Sequence, residues 1–364
     1  MSKMTFQEWK KRLADLAKAK KEPILGQYEL TSRCNLDCKM CYVHNQNSNS
    51  CKDQELSTEQ WKHIFDQAFD MGLLFATFTG GECLLRHDFK ELYLHLWKKR
   101  VYMGVLTNGT LISEDYINFF RTYKPECIQI SLYGSNEEGY IRVTGHQGFH
   151  KTVSAIRRLM DAGINVRVAI TPSAYMGDDY INIVRFCKEQ GFNVTSGEIM
   201  LFQNRDDPDK NDYYLSSDQI VDLSIRRGEL YGALTTVDEL PDPHGPMNVQ
   251  PKQGLTCSGG NCLAYVLWDG TMYPCSNAMV GGGASLREMS YADAWKKTVA
   301  AAEEVMYGSE CEGCPYDEVC PKCPAVRLTD LHRGHCNPAV CELTRNLVAA
   351  GVKKLGQKAQ SCED

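Results

Sequence analysis

The stretch that decides the reading is GQYELTSRCNLDCKMCY, residues 26–42. It joins a candidate strand over 26–30 to three cysteines spaced Cys34-x-x-x-Cys38-x-x-Cys41. A loop at the C-terminal end of a barrel strand is where barrel folds place their chemistry. Three thiolates suit a 4Fe–4S cluster but satisfy only three of its four irons. The fourth iron is then open to an outside ligand, by the logic that separates catalytic from structural zinc sites. Zinc is the alternative, with His44 as a fourth ligand. Three cysteines within eight residues, with no fourth nearby, make a poor structural zinc site.

Outward from this loop, the chain alternates strand and helix. Further candidate strands cover 74–79, 102–106, 127–132, 165–170 and 193–200, with helices near 88–99, 113–121, 149–162 and 178–190. The helix opening at Ser57 carries a capping box with Gln60, and Trp61, Ile64, Phe65, Ala68 and Phe69 form its apolar stripe. Six strand–helix units imply a parallel sheet with right-handed crossovers. They fall short of the eight of a closed barrel, so the α/β fold expected is a partial (β/α)6 barrel over 24–235. Residues 1–23 read as an amphipathic helix, with Phe6, Trp9, Leu13 and Leu16 at helical spacing and a solvated lysine-rich face. Near Pro241 a proline-rich stretch reads as a linker, and the small domain over 236–364 is rich in glycine and cysteine. Metal sites let such a domain fold with little core of its own.

The 364 residues suggest about two domains. Their net charge of −6 argues against a nucleic-acid or membrane-surface partner. No run approaches the roughly 20 apolar residues of a membrane span, and no signal peptide is present. A cytoplasmic, reducing location is expected, where the 17 cysteines favour metal ligation over disulfides.

CNLDCKMCY resembles the CxxxCxxC signature of the radical S-adenosylmethionine (SAM) superfamily, including the aromatic that often follows, here Tyr42. Gly80-Gly81-Glu82, at the end of the second strand, resembles that superfamily's GGE motif. Two glycines permit close backbone approach, and Glu82 with strand-end carbonyls can accept from an ammonium group. Asn108 ends the third strand and Ser131 the fourth; the resemblance puts Ser131 near the ribose or carboxylate of S-adenosylmethionine and makes Arg142 a candidate for the carboxylate. It implies that the cofactor chelates the open iron and that reductive cleavage yields a 5′-deoxyadenosyl radical, which takes a hydrogen atom from substrate. Cys83 follows the GGE motif where the family commonly has proline, and is a candidate hydrogen-atom donor.

Cys257-x4-Cys262, Cys275, Cys311-x2-Cys314-x5-Cys320-x2-Cys323 and then Cys336 and Cys341 resemble a SPASM domain, which carries two auxiliary 4Fe–4S clusters. The resemblance assigns Cys257, Cys262, Cys275 and Cys323 to the first, and Cys311, Cys314, Cys320 and Cys341 (or Cys336) to the second. It departs at Cys320-x2-Cys323, where the family usually has three intervening residues. A zinc ribbon of two CxxC knuckles is the alternative. Cys51, Cys83, Cys127, Cys187, Cys362 and whichever of Cys336 and Cys341 is not a ligand remain as six spare thiols.

The family resemblance implies an oxygen-sensitive maturase that cross-links, oxidises or epimerises a ribosomally made precursor peptide. It implies three 4Fe–4S clusters, S-adenosylmethionine and an electron donor such as flavodoxin or ferredoxin. About two dozen residues precede the first strand, too few for a winged-helix recognition domain, so leader recognition would fall to a separate protein, the barrel or nothing. An anaerobic sulfatase-maturating enzyme is the second reading; those enzymes place an aspartate base directly after the hairpin cysteine, where this chain has Ser276. A small-molecule dehydrogenase and a non-enzymatic iron–sulfur electron carrier follow. A carrier has no need of the GGE set.

Overall fold

The computed structural model describes residues 4–41, 43, 53–196, 212–231, 253–307, 314–317, 319–321, 323–330 and 335–352. Its first half is the expected alternation: β1 (Leu25–Glu29), α2 (Thr58–Asp70), β2 (Phe75–Thr79), α3 (Phe89–Lys98), β3 (Tyr102–Thr107), α4 (Glu114–Thr122), β4 (Cys127–Ser131), β5 (Val166–Ile170), α7 (Asp179–Glu189) and β6 (Val194–Ser196). Two helices, α5 (Glu137–Thr144) and α6 (Phe149–Asp161), separate β4 from β5. The sequence reading placed only the second of them. Residues 197–200 of the expected sixth strand lie outside the described residues, as does the linker near Pro241.

The six strands are parallel in the order β6-β5-β4-β3-β2-β1, a partial (β/α)6 barrel. Side chains alternate across the strands. On the outer face Tyr28 and Phe78 lie 5.0 and 5.4 Å from the Phe65 ring of α2, which also stacks on Trp61. Burying such rings contributes roughly 1.5–3 kcal/mol each. The capping box forms as read, Ser57 N to Gln60 at 2.9 Å and Gln60 N to Ser57 at 3.3 Å. Phe69, expected in the buried stripe, is 37% exposed in the last turn of α2, where its ring is covered by Lys99 Nζ at 4.8 Å.

The inner face is polar by the same alternation: Gln27 and Glu29, Thr77 and Thr79, Gln129 and Ser131, and Arg167. Register pairs Glu29 with Thr79 and Gln129 with Arg167. At the N-terminal end of the strands, α1 (Phe6–Lys20) sets Phe6 and Trp9 against Phe75 and Tyr102, with centroids 5.2–6.4 Å apart. The barrel floor is thus closed by aromatics, and its chemistry is left to the other end.

The cysteine-rich segment joins the barrel sheet. β7 (Leu263–Val266) pairs parallel with β1, and β8 (Thr271–Tyr273) and β9 (Ala284–Ser285) follow antiparallel. Helices α8 (Ser217–Tyr231), α9 (Tyr291–Glu303), α10 (Pro324–Arg327) and α11 (Pro338–Ala349), with the hairpin β10 (Leu328–Asp330)–β11 (His335–Cys336), complete the described chain. No helix of the described residues is long and apolar enough to cross a membrane.

Candidate radical and metal centres

The cysteine loop leaves β1 and is fastened to the end of β2. Gly81 N donates to Thr31 O at 2.9 Å and Glu82 N to Arg33 O at 2.8 Å. A Cβ on Gly80 would stand 2.2 Å from Thr31 O, and one on Gly81 2.4 Å from Arg33 O. Gly80 also has φ +133°, in the region that favours glycine. The pair is therefore required for close approach between two backbones, one of which leads directly into Cys34.

A second clamp, missed from the sequence, holds the loop from outside. Arg33 grips Glu55 with two bonds of 3.0 Å, and Thr31 Oγ1 donates to the same carboxylate. Arg86, buried, pairs with Asp88 at 2.7 and 2.8 Å and donates to Leu30 O and Leu56 O. Lone charges so placed would be costly; paired and hydrogen-bonded ones hold the loop in one position.

Cys34, Cys38 and Cys41 come together above the strand ends. Burial pushes the Cys34 thiol up to about 11, helped by Glu82 and Cys41 and opposed by the Leu36 N–H and the Asn108 amide. Burial raises Cys38 well above an ordinary thiol, with Cys41 and Cys34 adding to it. The three sulfurs thus share one space. Among the described residues no three His, Cys, Asp or Glu side chains close on a point that a single metal ion could occupy. Three buried thiols gathered in one space, with the Leu36 N–H and the Asn108 amide directed at Cys34, are a donor set that fits three corners of a 4Fe–4S cluster.

Glu82 is fully buried and turned inward. Its carboxylate accepts Leu84 N at 3.1 Å, Thr107 Oγ1 at 2.8 Å and Asn108 N at 2.7 Å. Burial raises its pKa while these donors lower it. It braces β2 against β3, whereas the sequence suggested a side chain facing an ammonium group. Cys83 is also fully buried, and its thiol donates to Leu106 O at 3.3 Å. Burial and the Glu82 charge push that thiol well up, the setting of a packed hydrophobe rather than an exposed reactive thiol. Ser131 ends β4 on the inner face. Arg142, its side chain 45% exposed, is tied to Tyr175 O at 3.2 Å and stands 3.8 Å from Asp179, and the next two residues of its helix, Val143 and Thr144, accept Lys39 N and Asp37 N of the cysteine loop. Tyr42 lies outside the described residues.

A second group forms around β7 and β8. Burial raises Cys323 to about 11, with Cys275 and then Cys257 adding to it. Cys275 likewise raises Cys257, and Cys257 raises Cys262, each after burial and in the company of lowering contacts. Cys257 thus lies within electrostatic reach of the other three. Cys314 and Cys320 flank a turn closed by Asp317 N to Cys314 O at 3.1 Å. Cys336 and Cys341 bring their sulfurs to 2.9 Å, so proximity does not choose between them. Cys311 lies outside the described residues.

Residues 28–177 match the model of the Radical SAM superfamily. The chain carries a radical SAM domain. AlbA of Bacillus subtilis (strain 168), an antilisterial bacteriocin subtilosin biosynthesis protein, is 38% identical over 151 residues, covering 41% of this chain and 33% of AlbA. This chain therefore aligns with about a third of that relative's length. The PqqA peptide cyclase of Granulibacter bethesdensis is 26% identical over 337 residues, covering 85% of each chain. SuiB of Streptococcus suis, solved bound to S-adenosylmethionine, superposes with TM-score 0.64 at 16% identity, covering 92% of this chain and 79% of SuiB.

Within the radical SAM domain, one further residue escaped the sequence reading. Glu29 ends β1 on the inner face, fully buried, and accepts the hydroxyl of Tyr265 on β7. A glutamate between Tyr28 and Leu30 in an otherwise buried strand was the available signal.

Proposed function

We propose that this chain is a radical SAM maturase that modifies a peptide. The observation that carries the reading is the trio Cys34, Cys38 and Cys41 clamped by Gly80 and Gly81 at the open end of a polar-lined partial barrel. Bound there by Cys34, Cys38 and Cys41, a 4Fe–4S cluster with S-adenosylmethionine would supply radical hydrogen-atom abstraction. The protein's own part is to hold three thiolates, offer strand-end carbonyls at 80–82 to the cofactor's ammonium, and close the barrel floor against water. Ser131 ends β4 on the inner face, and Asn108, just past β3, directs its amide at Cys34 Sγ.

A peptide substrate is supported by relatives whose names include a peptide cyclase and a bacteriocin biosynthesis protein. Two auxiliary clusters are proposed, one on Cys257, Cys262, Cys275 and Cys323, the other on Cys311, Cys314, Cys320 and Cys341 or Cys336. The mutual influence of Cys257, Cys275 and Cys323 supports the first set despite its short Cys320–Cys323 spacing. A flavodoxin or ferredoxin would supply electrons, and a separate protein could present the leader. The sulfatase-maturating reading ranks second because Ser276 offers no base where one is expected.

The test is co-expression without oxygen beside the short peptides encoded next to the gene, with mass spectrometry of each. A loss of two hydrogens, or a deuterium gained at an α-carbon in heavy water, supports the reading. Unchanged peptides alongside a converted sulfatase cysteine or serine would replace it with the second.

A further inference from the structure

Asn108 has every polar group assigned. Its backbone N–H donates to Glu82 Oε2 at 2.7 Å, and its carbonyl accepts from Thr152 Oγ1 at 3.0 Å. Its side-chain Oδ1 accepts from Thr110 N at 2.9 Å and from Thr110 Oγ1 at 2.6 Å. A backbone N–H can only donate, so Oδ1 is identified without ambiguity and the amide cannot be flipped. The two Nδ2 protons then have fixed directions. One goes to Asn35 Oδ1 at 2.9 Å, and the other faces Cys34 Sγ at 3.8 Å. Leu36 N also points at that sulfur, from 3.4 Å. The residue is 8% exposed, so water competes little for these donors.

We infer that Asn108 is a positioning residue that sets the reduction potential of the cluster on Cys34, Cys38 and Cys41. The inference rests on that cluster reading and goes beyond it. A ligated Cys34 is a thiolate, a far better acceptor than the thiol. Reduction adds one negative charge to the cluster, so a fixed N–H facing its sulfur stabilises the reduced state more than the oxidised one. Hydrogen bonds to ligand sulfur are among the established controls of cluster potential. Asn108 therefore makes electron entry easier at the cluster that must be reduced first, and the Thr110 backbone N–H holds the amide in the donating direction.

The test is a redox titration of the full chain, loaded with iron and sulfide, followed by electron paramagnetic resonance. The signal to follow is the one that changes on adding S-adenosylmethionine. Asn108→Ala should lower its potential by about a tenfold change in the oxidised-to-reduced ratio, some 59 mV for a one-electron couple. Asn108→Asp keeps the volume and the contacts to Thr110 but loses the donor, and should shift the same way. Thr110→Val leaves the Thr110 N contact to Oδ1 and should titrate with the wild type. The inference is overturned if an iron-replete Asn108 variant titrates with the wild type, or if Thr110→Val falls equally, since that indicates a loosened loop. A wild-type chain that takes up no iron at this site overturns the cluster reading itself.

Discussion

The Asn108 backbone N–H hangs on Glu82 Oε2, 2.7 Å away, so the end of β3 is suspended from the residue that closes the glycine pair of β2. Glu82 also takes Thr107 Oγ1 and Leu84 N, so one buried carboxylate gathers three donors from two strand ends. Glu82→Ala would leave those donors buried and unpaired, at about 1–3 kcal/mol each. We expect urea unfolding to show a loss of at least roughly 3 kcal/mol. A stability within 1 kcal/mol of wild type would contradict this bracing role.

Gly80→Ala and Gly81→Ala should act on the cysteine loop before they act on the barrel. Each new Cβ meets a backbone oxygen, on Thr31 or Arg33, at 2.2–2.4 Å, and a backbone oxygen cannot swing aside as a side chain can. The expected outcome is a folded chain, by circular dichroism, that takes up less iron at the first site than wild type. Full iron uptake by both variants would show that the loop tolerates displacement.

The thiols make a prediction about pH. In the metal-free protein the Cys34 pKa is raised from 9.0 to about 11, so the folded state holds the proton more tightly than the unfolded one. That contribution is present in full below about pH 9 and is lost as pH rises through 11. The thermal midpoint of the metal-free protein should therefore fall between pH 9 and 11. Metal-loaded protein should fall less from this cause, because its ligating thiols are already deprotonated. Parallel curves for the two forms would argue against ligation by these residues.

Tyr265→Phe tests the seam between the barrel and the cysteine-rich segment. It removes a donor from the buried Glu29 carboxylate, at a cost of about 1.5–3 kcal/mol for a bond to a charged group. Chemical denaturation should show that loss with the slope unchanged. Stability equal to wild type would mean that Glu29 does not depend on the seam.

The barrel was legible because its signals are local: alternating strands, the Ser57–Gln60 box, and glycines closing helices. Helix α5 escaped because it is only eight residues long and Gly139 interrupts its apolar pattern, although Asn136 and Gly145 cap its two ends. The cysteine loop was legible from spacing alone. The inward turn of Glu82 was not, since the motif says nothing of which backbone N–H groups a fold will bring to it. The Glu29–Tyr265 contact joins residues 236 positions apart, and no local pattern reports such a pairing.

The central claim is that Cys34, Cys38 and Cys41 hold a cluster that cleaves S-adenosylmethionine. The direct measurement is 5′-deoxyadenosine formed by the anaerobically reconstituted chain with dithionite and S-adenosylmethionine. Wild type should form it, and Cys34→Ala, still carrying the iron of the other sites, should form none. Iron-replete wild type that forms none, or a Cys34→Ala variant that matches wild type, would contradict the account.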